Sequence, residues 1–199
     1  MRPTRLLAAA LVAVTLVSSP STAAADIFVS PFIGLKFKGD TNELDLENGA
    51  GETKPTLGIS GVVVSDKGLG VELEFGYSSR FFERADRALV TRSGVTTVTG
   101  NLLLAAPLSI TRESLRPYVV GGLGWMHASA NDILAFGPVS NDFLGLTLGA
   151  GAVGFIGDVT GLRFDLRYLK SLTSGDTSNV SGDRARLSFW RATIGVVFR

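Results

Sequence analysis

The sequence predicts an all-β fold: eight antiparallel strands closed into an up-and-down transmembrane barrel. Three observations predict it. Apolar residues recur at every second position in eight separate stretches, the connections between those stretches alternate between short and long, and no stretch shows a convincing helical period.

The chain begins with MRPTRLLAAALVAVTLVSSPSTAAA, which has the three parts of a secretory leader. Arg2 and Arg5 form its basic start, residues 6–17 its apolar stretch, and Ala23-Ala24-Ala25 its small-residue cleavage site. That apolar stretch is too short for a spanning helix, which takes about 20 residues. The expected organisation is a leader at 1–25 and one barrel domain at 26–199.

In the first strand Ile27, Val29, Pro31, Ile33, Leu35 and Phe37 share one face, with Ser30, Gly34 and Lys36 on the other. Leu57, Ile59, Gly61 and Val63 mark the second. The third, GVELEFGYS, alternates most clearly: Leu69, Val71, Leu73, Phe75 and Tyr77 stand against Gly70, Glu72, Glu74, Gly76 and Ser78. In the fourth, Val98, Gly100, Leu102 and Leu104 oppose Thr97, Thr99 and Asn101. Val119, Gly121, Leu123 and Trp125 mark the fifth, and Leu144, Leu146, Leu148, Ala150 and Ala152 the sixth. The seventh, LRFDLRYL at 162–169, fills its gaps with Arg163, Asp165 and Arg167; the eighth places Trp190, Ala192, Ile194, Val196 and Phe198 on one face.

The connections at 65–68, 109–114 and 157–160 are short, and those at 38–54, 79–93, 129–141 and 170–184 are long and polar. Outer-membrane barrels show this pattern, with short periplasmic turns, long external loops and strands of about 9–11 residues. An even strand count then leaves both termini in the periplasm.

Closure satisfies every backbone hydrogen bond without water, so the apolar face meets lipid. Tyr77, Trp125, Tyr168 and Trp190 lie on that face toward the loop ends, where an interfacial aromatic girdle is expected. A water-soluble barrel with its faces reversed accommodates poorly the glycines and threonines of the polar faces. Lys36, Glu72, Glu74, Arg163, Asp165, Arg167 and Arg191 then point into the lumen. Strand three lies opposite strand seven in an eight-membered ring, and the interior of such a ring is just wide enough for side chains to fill. The expectation is a cross-lumen charge network that plugs the barrel.

Composition excludes other chemistries. Loss of Arg2 and Arg5 leaves 17 of the 19 basic residues against 18 acidic ones, a balance that does not suit nucleic acid. The absence of cysteine rules out disulfides and thiolate chemistry, and the single His127 rules out a multi-histidine metal site. No cofactor and no metal are expected. Gly149, Gly151 and Gly154 spell the dinucleotide fingerprint, yet they fall in an alternating strand with no strand-turn-helix around them. Room for bulky lumen side chains is the better reading of those glycines. Asn179-Val180-Ser181 fits a glycosylation acceptor but reads as a loop triplet, and the acidic first loop, with Asp40, Glu43, Asp45, Glu47 and Glu52, lacks calcium-loop spacing.

LRPYVVGGLGW at 115–125, TGNLLLAAPL at 99–108 and a last strand ending in an aromatic together resemble the small eight-stranded outer-membrane β-barrel family, which includes the transmembrane domain of outer membrane protein A. The resemblance covers nearly all of 26–199. It implies a bacterial outer-membrane location and recognition of the C-terminal strand by the barrel assembly machinery. Family members usually end on Phe, whereas Arg199 follows Phe198 here. The resemblance fixes no activity, because the family hosts adhesins, stress-resistance proteins and lipid enzymes.

Arg80, Arg84, Arg87 and Arg92 in the second long loop are candidate contacts to lipopolysaccharide phosphates, with pairing to Glu83 and Asp86 as the alternative. His127 two residues before Ser129 resembles the His-x-Ser element of outer-membrane lipid A deacylases, with Asp142 or Asp132 as the orienting acid, although Ala130 intervenes where that element has Asn. The reading these residues support is a non-enzymatic, monomeric outer-membrane barrel whose four external loops contact the envelope, lipopolysaccharide or an outside partner. A narrow porin is the first alternative, and a lipid A-directed hydrolase using His127 and Ser129 the second.

Overall fold

The computed structural model describes residues 25–41, 52–79, 90–111, 115–133, 139–173 and 187–199. Eight strands follow one another in chain order and close into an antiparallel barrel. They are β1 (Ala25–Thr41), β2 (Lys54–Ser65), β3 (Leu69–Ser79), β4 (Val90–Ala105), β5 (Arg116–Ile133), β6 (Val139–Phe155), β7 (Thr160–Ser171) and β8 (Leu187–Phe198). The ring closes where β1 pairs with β8, from Val29 opposite Phe198 to Thr41 opposite Leu187. The leader expected at 1–25 lies outside the described residues apart from Ala25.

Which face is outward follows from exposure. Leu73 is 65% exposed, while Glu72 and Glu74 on either side of it are 4% and 3% exposed. The same division holds on every strand: Ile33, Leu57, Leu102, Leu123, Leu148, Phe164 and Ile194 are exposed. An outer wall of aliphatic and aromatic side chains on a closed sheet calls for lipid as its solvent.

Two expectations about the connections are corrected. Several strands run on into segments expected to be long loops: β1 reaches Thr41, β4 starts at Val90, and β5 and β6 stay paired as far as Ala130 opposite Val139. Only 134–138 separate β5 from β6, whereas the β4–β5 connection spans 106–115, so the strict alternation of short and long fails there. Continued backbone pairing is the reason, because each added rung satisfies an N–H and a C=O that a loop leaves to water. The second correction is a single helical turn, α1 (Leu108–Thr111), inside the β4–β5 connection. Pro107 O accepts from the amides of Ile110 and Thr111, at 3.0 and 3.3 Å.

One irregularity marks the seam. The β1–β8 register shifts between Phe37 and Asp40, and Lys38 adopts a left-handed backbone with φ 49°. A bulge of this kind is common at barrel rims, where it bends the strand and re-aims side chains. At the opposite end Asp26 meets Arg199 at 3.1 Å, joining β1 to the residue after β8. Arg116 is buried there and donates to the carbonyls of Ala106 and Ser65, each at 2.7 Å.

Candidate functional site

The lumen is filled in three layers. Near the short turns Phe28, Val62, Val64, Leu103, Val120 and Val197 pack with Tyr118 and Val153 into one apolar cluster, with Phe155 against it. The Phe28 and Phe155 rings meet edge to face at 6.2 Å. Loop-ward of the middle, Val95, Met126, Phe143, Leu169, Leu187 and Phe189 are inward and buried. The charges lie between these layers.

Strand alternation places Glu72 and Glu74 on the inner face of β3 and Arg163, Asp165 and Arg167 on that of β7, directly across the ring. Arg163 Nη2 reaches Glu72 Oε1 at 2.7 Å, and Arg167 Nη1 lies 2.9 Å from Glu72 Oε2 and 3.0 Å from Glu74 Oε2. Asp165 sits between the two arginines, 2.7 Å from Arg163 Nε and 2.9 Å from Arg167 Nη2. Arg191 Nη2 donates to Glu74 Oε1. Arg167 and Arg191 are register partners, so their like charges would repel directly were Glu74 not paired with both. Lys36 is completely buried and pairs in register with Arg191 on one side and Lys54 on the other, extending the basic wall across β7, β8, β1 and β2. Glu52 lies 2.6 Å from Lys54 at the loop end of that wall.

Neutral groups complete the network. Arg163 donates from Nε to Tyr118 Oη at 2.6 Å and from Nη1 to Ser60 Oγ at 2.9 Å, and Asn101 Nδ2 donates to Glu72 Oε2 at 3.1 Å. Buried charges are tolerable when paired and supplied with such additional hydrogen bonds. The inner-face glycines make room for the long side chains. A Cβ at Gly76 would stand 2.6 Å from Arg191 Nη1, one at Gly149 would stand 2.8 Å from Arg167 Cγ, and one at Gly151 would collide with Tyr118 Oη. Gly149 and Gly151 therefore serve the packing of a strand, and no nucleotide loop surrounds them.

Tyr118, Asn101, Ser60 and Lys54 complete this site, and alternation against the outward Val119, Gly100, Ile59 and Pro55 is the sequence signal that turns them inward. The apolar floor has a sequence signal of another kind: GVVVS at 61–65, NLLLA at 101–105 and YVVGG at 118–122 put apolar residues on both faces of a strand near a short turn.

The girdle aromatics lie on the outer wall. Tyr77, Trp125 and Trp190 are exposed, and the Tyr168 and Trp190 rings tilt against each other at 5.2 Å across β7 and β8. His127 stacks on Trp125 at 5.4 Å, and its Nδ1–H donates to Asp142 Oδ1 at 2.7 Å. His127 and Asp142 thus form a hydrogen-bonded pair on the outer wall. Ser129 does not join that pair, since its Oγ donates to Gly94 O at 3.5 Å. Arg80, Arg84 and Arg87 lie outside the described residues, as do Glu83, Asp86, Glu43, Asp45, Glu47 and the triplet 179–181. Arg92 is on β4 opposite Asn131, and Asp132 is on β5.

Residues 9–198 match the family described as outer membrane protein beta-barrel domain. No curated protein matches the chain significantly. Among solved structures the chain is similar to Neisserial surface protein A, with a TM-score of 0.60, 11% identity and coverage of 88% of this chain and 98% of that one. It is also similar to the outer membrane protein OprG of Pseudomonas aeruginosa, with a TM-score of 0.58, 16% identity and coverage of 88% and 96%. These likenesses concern the fold.

Proposed function

The chain belongs to the outer membrane protein beta-barrel domain family, and on that premise we propose that it is a non-enzymatic barrel of the bacterial outer membrane with a plugged lumen. Its long loops face outward to contact the envelope or an outside partner, and both termini face the periplasm. One observation carries the reading: Glu72, Glu74, Arg163, Arg167 and Arg191 are each at most 4% exposed, and apolar layers lie above and below them. A conducting pore of this size would need water along its axis, and water there would expose those side chains. The loop arginines remain candidate lipopolysaccharide contacts, and β8 with Phe198 the candidate signal for the assembly machinery.

Planar-bilayer recordings of the refolded, full-length barrel test the plug. The expected result is no steady conductance. Large, steady conductance from the unmutated protein overturns the plug and favours the narrow porin.

A further inference from the structure

We propose that Arg199 and Asp26 form a clasp that fastens the β1–β8 seam at the short-turn end, where the backbone ladder stops early. The inference rests on the fold alone. Of the eight strands, β1 and β8 are the one neighbouring pair not consecutive in the chain, so no turn holds them together. β1 pairs with β2 down to Ala25 opposite Ser65, but with β8 only down to Val29 opposite Phe198. Among the described residues, 25–28 therefore have a register partner on one side alone. A strand end paired on one side is where local opening begins.

Arg199 stands at that gap and reaches to both sides of it. Its backbone N–H donates to Val159 O, in the β6–β7 turn, at 2.9 Å. Its guanidinium meets Asp26 of β1 at 3.1 Å and lies over the Phe155 ring, 4.1 Å from the centroid. Phe155 in turn packs against the apolar cluster and meets Phe28 edge to face. One residue thus bridges β1 to the β6–β7 turn beneath the end of β8. Asp26 is steadied from its other side by Arg116, whose Nη1 is 3.8 Å away and whose remaining nitrogens hold the carbonyls of Ala106 and Ser65. Exposed ion pairs contribute little, but the Asp26 and Arg199 side chains are only 20% and 25% exposed, and the ring beneath Arg199 adds a cation–π attraction. Arg199, the residue after the last strand, is therefore part of what closes the ring.

The chain contains no cysteine, so one introduced thiol reports on one position. Val197→Cys places it on β8 within the apolar cluster, and Leu103→Cys places it in the same cluster on β4, directly across the ring. Each is combined with Arg199→Gln, with Asp26→Asn and with both. The full-length barrel is refolded in detergent micelles, heat-modifiable gel migration checks folding, and the rate of modification by a water-soluble thiol reagent is measured. The expected result is a several-fold faster rate at Val197→Cys with either clasp variant, no further gain with both, and an unchanged rate at Leu103→Cys. An unchanged rate at Val197→Cys overturns the proposal, as does an equal rise at both thiols, which is general loosening. Additive gains from the two clasp variants overturn the pairing of Arg199 with Asp26. Should Val197→Cys fail to fold, amide hydrogen exchange in β1 and β8 against β4 reads the same opening, with the same expected and contrary outcomes.

Discussion

Val62 and Glu72 are register partners on neighbouring strands, both inward and both almost sealed from solvent, yet they belong to different layers. Val62 contributes volume to the apolar cluster and asks only for neighbours of the right size. Glu72 asks for particular partners in particular places, and it has Arg163, Arg167 and Asn101. Packing errors in an apolar layer are partly relieved by relaxation, whereas an uncompensated buried charge has no equivalent remedy. The two layers should therefore differ sharply in their response to mutation.

The largest effect is expected from the double change Glu72→Ala with Glu74→Ala, which leaves Arg163, Arg167 and Arg191 facing each other with only Asp165 among the network's carboxylates. Leaving buried charge unpaired typically costs about 3–5 kcal/mol, read as a lowered urea midpoint in vesicles; a wild-type midpoint would contradict the network's role. Next comes Leu73→Arg, on the outer face of the same strand. Arg near the bilayer midplane costs about 2–4 kcal/mol, and a soluble product at wild-type yield would reverse the assignment of faces. Val62→Ala sharpens the contrast between layers. At about 0.8 kcal/mol per buried methylene it should lower stability by about 1.5 kcal/mol, at most half the loss from the glutamate pair; equal losses would erase the distinction.

The smallest effect belongs to the rim. His127→Asn removes a pair whose side chains are 34% and 64% exposed, and exposed pairs contribute under about 1 kcal/mol. The variant should also leave lipid A acylation in host cells unchanged, as should Ser129→Ala. An acyl chain present on lipid A in either mutant but absent with the unmutated protein, seen by mass spectrometry, would revive the hydrolase.

What the sequence made legible follows the same division. All eight strands and the outward set could be read, because each strand alternates against a uniform solvent and one property, hydropathy, reports on it. The seven lumen charges could be placed on the inner face for the same reason, and the position of β3 opposite β7 follows from the strand count. Which oxygen meets which guanidinium could not be read, since that depends on stagger and rotamer. The apolar floor is not legible from alternation, because a run such as Val62-Val63-Val64 shows none, although both of its faces are apolar for different reasons. The strand ends are not legible where polar residues such as Ser129 and Ser140 pair as register partners beyond the apolar belt, since hydropathy gives no cue there.

The contacts across the lumen also bear on time. Arg163 and Glu72 are 91 positions apart in the chain, and Arg191 and Glu74 are 117 apart. No partly zipped hairpin can contain either contact; both wait for the ring to close. Interactions absent from the transition state slow unfolding without speeding folding. The network should therefore act as a ratchet, silent while the strands assemble and felt only when the finished barrel is pulled apart, so that weakening it shortens the lifetime of the folded state and leaves the rate of insertion almost untouched.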